Sequence, residues 1–427
     1  MAPRTTPRKP APSAPATPAV ERFDERTYAR ELIKRIVAEC PRRQPTSDDE
    51  RKAHDIMAAE FAKVGLAQSE HALTFNDYLY ANLALHFGVG TLGTLGSQVA
   101  PPLGFALHLA AGGSYWLEST RKAYLLRRLF PWKPSRNVLG TLPAKGEPAL
   151  RVVVLSHVDA AFTGWIFNPE VIKKVTGNVP FDSEYLKRSL AMATHAQLAL
   201  AGIDLVKMVT GPLSWPLRPL EWALTLPGLI AFLVNLQVIV QNQIVPGAAD
   251  NLTGCAAQVL LARRLAPKKP ANVEIVFAAM GCEEASLGGG DAMARDYKGR
   301  WDPAKTVILG LDTLSNGDLQ FLEWEGEVWR RHAPDWLCDV ARAAAASEPR
   351  FAEVKGFAVP VGGSDVAAFL NHGWDGLCLT CIDPAIGAPR HYHVPSDTPE
   401  NVDYDKFMLS VDFAEKIVDG IVAKRVG

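Results

Sequence analysis

The sequence predicts an α/β fold, a sheet covered by helices on both faces, interrupted by two apolar helical insertions. Short apolar runs alternate with helical patterns along most of the chain, which is the signature of strands connected by crossover helices. Short polar segments rich in His, Asp and Glu stand where those apolar runs end. Two long stretches carry no charged residue at all.

The 427 residues are 48% hydrophobic and 21% charged, enough to build a sizeable core. A formal charge of -1 gives no general attraction for phosphate backbones, so nucleic acid is not an expected partner. Six irregularly spaced cysteines do not form a disulfide framework. Cys378 and Cys381 make a C-x-x-C pair inside the apolar run Gly376 to Ile382. Three residues apart on a strand they face opposite ways, which predicts core packing over a metal or redox pair.

Residues 1–22 hold six prolines and the cations Arg4, Arg8 and Lys9, a composition that predicts a disordered basic tail without a secretory signal. The folded part, residues 23–427, is expected to be one catalytic domain. A helix should run from Phe23 to about Cys40, before Pro41. A second begins at the capping box Ser47-Asp-Asp-Glu50, continues through Ile56, Met57, Phe61 and Val64 at helical spacing, and ends at Gly65. Strands are predicted at 137–142, 151–156, 272–280, 305–312, 318–323 and 376–382. Helices are predicted at 253–265, 289–297, 334–346 and 404–422.

The insertions are 78–117 and about 161–245. Tyr78 to Leu117 has 40 residues without Asp, Glu, Lys or Arg, divided by Pro101-Pro102 into the arms of a helical hairpin. Trp222 to Ala249 has 28 more and can pair with the weaker apolar stretch Ala193 to Trp215. About 20 apolar residues span a bilayer. Arg121, Lys122, Arg127, Arg128 and Lys133 follow the first hairpin, so both flanks are expected on the cytoplasmic side of a membrane, with the catalytic part beside them. The alternative is a buried helical subdomain of a soluble cytoplasmic protein.

Five segments carry the candidate chemistry. Ser156-His-Val-Asp-Ala160 closes an apolar strand, and Asp159 can accept a ring N–H of His157 while the other nitrogen binds a metal. Gly247-Ala-Ala-Asp-Asn251 precedes a helix, where Asp250 could be a ligand or a cap. Gly281-Cys-Glu-Glu-Ala285 places adjacent acids at a strand end, which raises one pKa or requires a nearby cation. Asp312 ends the run Val307 to Leu311, and His391-Tyr-His-Val-Pro-Ser-Asp-Thr398 brings two histidines and an acid into one loop.

In this order the segments resemble peptidase family M28, whose pattern is H-x-D, G-A-x-D-N, E-E, an Asp after a strand, and Y-H-x-P-x-D-T. The resemblance implies an α/β zinc hydrolase with a mixed, mostly parallel central sheet and two divalent metal ions, most readily Zn2+. It implies that His157, Asp250 and Asp312 hold one metal and Asp250, Glu284 and His393 the other. Glu283 would be the general base and Asp159 the partner of His157. Gly362-Gly-Ser-Asp365 resembles the family's substrate-lining segment, so Asp365 is expected either to touch substrate or to cap the following helix. Tyr392 is a further candidate substrate contact. The chain departs from the pattern in its insertions, in Val394 and in Cys282. The expected function is a membrane-associated two-metal aminopeptidase acting on a peptide or protein. A single-zinc glutaminyl cyclase and a catalytically silent receptor or scaffold are the alternatives on the same fold.

Overall fold

The computed structural model describes residues 23–77, 79–177, 185 and 187–426. The tail expected at 1–22 lies outside the described residues. The first two helices are α1, Glu25–Glu39, and α2, Asp48–Lys63. Ser47 caps α2 by accepting from the Glu50 amide, whereas the Glu50 carboxylate accepts from Thr46 N and turns inward.

Nine strands form one mixed sheet: β1 Ala67–Phe75, β2 Lys133–Leu142, β3 Leu150–His157, β4 Val273–Met280, β5 Thr306–Leu311, β6 Asp318–Glu325, β7 Arg331–His332, β8 Lys355–Ala358 and β9 Asp375–Ile382. Their order is β1-β2-β4-β3-β5-β9-β6-β7, with β8 paired to β6. The central four, β4, β3, β5 and β9, are parallel, and β2 and β6 flank them antiparallel. Strands buried on both faces read as continuous apolar runs, which is why β3, β4, β5 and β9 are legible in the sequence. β1 is not, because its first four residues are exposed and only its second half alternates.

One face of the sheet packs on α1, α2, α8 (Thr253–Leu265), α10 (Asp335–Ser347) and α12 (Tyr404–Val426), around Phe277, Leu309 and Phe407. The other face packs on α9 (Gly288–Asp296) and α11 (Asp365–Asn371), around Val153, Met293 and Trp374. Cys381 belongs to the first layer and Cys378 to the second, both buried as free thiols.

The apolar stretches form α3 (Leu79–Val99), α4 (Pro101–Ser119), α6 (Ser189–Thr210) and α7 (Arg218–Gln241); the short α5 (Pro169–Gly177) precedes α6. The four long helices pack together as one bundle, α3 against α4 and α7, and α6 against α4 and α7. The second insertion is pinched shut at its base, where Phe162 pairs with Ile244 and Val245 N donates to Ala161 O. Close approach of the helices requires small residues: a Cβ on Gly93 would stand 2.8 Å from the His108 ring, and one on Gly104 would stand 2.5 Å from Ser97 Cβ.

Beside an apolar cluster around Leu83, Phe87 and Ala193, the bundle interior is polar. Lys207 donates to Glu221 and Ser97 at 2.7 Å each, Ser97 donates to Asp204, and Asp204 accepts from His108 Nδ1 at 2.7 Å. His108 Nε2 reaches Thr94, which pairs with Thr225. Outside it is apolar: Val99, Val209 and Val240 are 89, 87 and 78% exposed, and Leu213, Trp215, Leu226, Ile230 and Leu233 are exposed as well. Among the described residues one segment, Ser189–Gln241, is long and apolar enough to cross a membrane.

Candidate metal centre

Every candidate donor stands at the carboxyl edge of the parallel strands, where the loops of an open α/β sheet gather. His157 is the last residue of β3, Asp312 follows β5, Glu283 and Glu284 lie just beyond β4, and Asp250 occupies the turn before α8. His393 comes from the loop between β9 and α12. The turns are tight enough to force Cys282, Ser286, Leu287, Thr313, His391 and His393 to positive φ, from 52° to 79°. Such residues persist only where the surroundings over-determine them.

The side chains converge around His157. Its Nε2 lies 3.3 Å from Asp250 Oδ1 and 3.8 Å from Glu283 Oε2. His157, Asp250 and Glu284 present donor atoms within 4.8 Å of one another, as do His157, Glu283 and Asp312. His393 Nε2 closes the other side, 3.2 Å from Asp250 Oδ2 and 3.5 Å from Glu284 Oε2. All six side chains thus meet, although His157 joins both close groups and Asp250 links it to His393. Asp159 stands on the Nδ1 side of His157. The nearest acceptor to His157 Nδ1 is the Asp159 carbonyl, at 3.2 Å, with carboxylate Oδ1 at 3.5 Å, while the other carboxylate oxygen, Oδ2, accepts from the Glu284 amide at 2.9 Å.

Charge at this centre is unbalanced. Burial pushes Glu283 and Glu284 well above the usual carboxylate range, and each repels the other acids of the cluster. Asp312 is pushed up to about 6 by burial and by Asp250. Burial would raise Asp250 too, but hydrogen bonds from His157 and His393 hold it low. Burial would depress His157, yet Glu283, Asp159 and Asp250 hold it well above its ordinary value. Glu284 Oε1 and His393 Nδ1 are buried without a hydrogen-bond partner. A buried set of four carboxylates and two imidazoles fits divalent cations, and its mixture of N and O donors suits zinc.

Residues to which the sequence assigned no such role hold these donors in place. Arg43, fully buried, donates to Val158 O and to Pro246 O and Gly247 O, tying the His157 loop to the Asp250 turn. Asp397 accepts from the amides of Ala249 and Asp250. Glu50 accepts from the Cys282 amide and the Ser135 hydroxyl; burial pushes it up to about 8. Arg121 and Arg127, expected as cations flanking a membrane, are instead buried. Arg121 donates to Ser286 O and Glu327, and Arg127 to Ala285 O, Asn76 and Glu118, so the chain leaving α4 clamps the turn that carries the two glutamates. Lys122 and Arg128 remain exposed. Arg43 and Val158 are 115 positions apart, and no local pattern encodes such a contact.

Tyr392 stacks on His393 with ring centroids 3.8 Å apart and lines a cavity of about 600 Å3 that opens over the centre. His391 turns away to Ser396. Asp365 is not among the cavity-lining residues: it is buried at the start of α11 and accepts from the Gly290 amide. The cap expected of it is supplied by Ser364, which accepts from Val366 N.

The fold is similar to that of zinc-dependent exopeptidases of known structure. The chain is similar to BSAP, a zinc aminopeptidase from Bacillus subtilis, at 14% identity over 92% of this chain and 94% of that one, with a TM-score of 0.53. An aminopeptidase from Aneurinibacillus sp. strain AM-1 is similar at 14% identity over 93% and 94%, with a TM-score of 0.54. A glutaminyl cyclase from an Acidobacteriales bacterium is similar at 15% identity over 97% and 99%, with a TM-score of 0.53. At these identities the likeness is one of fold. Residues 237–417 match the model of peptidase family M28, and the recognition made on the motifs is borne out. That stretch carries Asp250, Glu283, Glu284, Asp312 and His393, while His157 and Asp159 precede it. No curated protein matches the chain.

Proposed function

We propose that the protein is a two-zinc aminopeptidase held in a membrane by its helical bundle. The observation that carries the reaction is the meeting of His157, Asp250, Glu283, Glu284, Asp312 and His393, of which all but His157 line the floor of one cavity. His157, Asp250 and Asp312 would hold one ion and Asp250, Glu284 and His393 the other, with Asp250 shared. Zinc bound there supplies positive charge that acidifies a bound water and polarises the scissile carbonyl.

The chain's own residues supply the proton traffic and the positioning. Glu283 takes the proton of the attacking water and passes it to the leaving amine, which needs a carboxyl whose pKa is raised, as burial raises this one. Asp159 and its carbonyl fix the ring of His157 from the Nδ1 side. Tyr392 packs along His393 and keeps that ring in place over Asp250 and Glu284.

The membrane reading is supported by the bundle's reversed polarity. Buried charges paired with one another and an apolar exterior are what hydrocarbon selects. A helix of 24 residues such as α7 is about 36 Å long, enough to cross the hydrocarbon layer. A catalytic part on the cytoplasmic side remains the proposed orientation.

The likeness to the glutaminyl cyclase, over nearly the whole of both chains, favours one second reading, a single-zinc cyclase. Product analysis separates the two. Zinc-loaded protein is incubated with peptides having free or blocked amino termini, beside Glu283→Gln. Release of single residues from free termini only, lost on chelation and in the variant, is the expected result. Cyclisation of amino-terminal glutamine would replace it with the cyclase reading. Retention in the pellet after a carbonate wash tests the membrane reading, and release would overturn it.

A further inference from the structure

Above its acidic floor the cavity over the candidate centre is mostly apolar, with Lys187, Ser189, Asn235 and Glu327 as polar residues among its walls. Its walls come from both regions of the molecule: Leu83, Leu190, Ile230 and Ala231 from the bundle, and Phe357 and Val359 from β8 and the residue after it. Its volume of about 600 Å3 lies in the range of small-molecule sites rather than of a shallow cleft for an extended chain. Glu327, a wall residue, already pairs with Arg121 and accepts from Tyr115 and Ser286, so it adds no free charge to recognise a polar substrate. Ile230 is both a wall of the cavity and one of the exposed apolar residues of α7. The cavity wall is thereby continuous with the face of the bundle that carries Leu226 and Leu233.

Resting on the peptidase reading, we infer that the substrate is an amphiphilic amide: an aminoacyl or peptidyl compound bearing a long apolar chain. The amide lies on the acidic floor and the chain lies between Ala231 and Val359 toward α7. Water adds to the amide carbonyl, the C–N bond breaks, and the amine leaves with the proton that Glu283 carries. An apolar chain gains nothing from water and loses nothing on entering such a cavity from lipid, so the bundle positions the mouth of the site where these substrates concentrate.

The test uses the full chain in lipid nanodiscs and two series of compounds with apolar chains of 2, 6 and 12 carbons: leucine N-alkyl amides, and anilides of 2-aminoalkanoic acids. Each is measured for kcat/KM on the zinc-loaded protein and for binding to Glu283→Gln protein by titration calorimetry. Ala231→Phe, which fills the apolar arm, is run in parallel, with Ala231→Leu as the milder change should the first fail to fold. The ratio of wild type to the Ala231 variant cancels partition of each compound into lipid. Burial of a methylene is worth up to roughly fourfold in affinity, so that ratio is expected to grow at least about tenfold from 2 to 12 carbons in one of the two series. A ratio independent of length in both series overturns the inference. Cleavage without length dependence overturns it while leaving the peptidase reading intact. Length-dependent binding without cleavage supports the amphiphile site and overturns the peptidase reading.

Discussion

The two halves of this molecule solve the same packing problem with opposite chemistry. Around the sheet, Phe277, Leu309 and Phe407 are buried, and ion pairs such as Arg264 with Glu415 lie at the surface. In the bundle, Asp204, Lys207 and Glu221 are buried, and Val99, Trp215 and Val240 are outside. Water drives apolar side chains inward, so the α/β part has an ordinary core. Hydrocarbon exerts no such drive, and helices in it associate through close small-residue contacts and hydrogen bonds. The contrast also places the candidate centre: its acids lie where the two regions meet, and Arg121 and Arg127 bridge them.

The comparison can be sharpened first at that junction. Glu283→Gln is expected to lower kcat by about 10^2 to 10^4, with secondary structure by circular dichroism unchanged, because the wild-type carboxyl is held in the cluster against repulsion. A variant rate within tenfold of wild type would remove Glu283 from the role of base.

Ion pairs in the two regions should differ next. Glu118→Ala leaves Arg127, fully buried, without its carboxylate, and should cost about 3–5 kcal/mol in denaturant unfolding of the detergent-solubilised chain. Glu415→Ala at the sheet surface, where both partners are partly exposed, should cost about 1 kcal/mol or less. Equal costs would erase the distinction drawn between the two regions.

A further effect expected at the junction is one of pH. Glu50 is shifted from 4.5 to about 8 by burial, so the folded chain binds its proton more tightly than the unfolded chain. Its contribution is fully present below about pH 4.5 and is lost as pH rises through about 8. The Tm of metal-stripped protein should therefore fall across that window, and Glu50→Gln should flatten the slope. A Tm profile with the same slope in both proteins would assign the dependence elsewhere.

Much of the site was legible because it is written locally. His157 ends an apolar strand, Glu283 and Glu284 follow another, and Asp312 a third; a parallel strand buried on both faces announces its own end. The hairpin of α3 and α4 was equally plain, since Pro101-Pro102 splits an uncharged run. Other features were not. Ser364 rather than Asp365 is the cap, because the Asp365 carboxylate is engaged by Gly290, 75 positions away. The cations after α4 carry the composition of a membrane flank, yet Arg121 and Arg127 turn inward to backbone carbonyls 165 and 158 positions further on.

The sequence by itself determined the fold class, the candidate donor residues and the helices of both insertions, because strand and helix periodicity and strand-end chemistry are properties of neighbouring residues. Only the tertiary structure decided that the insertions form one bundle, that its charges face inward, that Arg43 and Asp397 fix the Asp250 turn, and that the bundle walls the cavity. Those depend on contacts between segments on the order of a hundred residues apart, whose pairing is set by burial and hydrogen-bond satisfaction across the whole chain rather than by any local pattern.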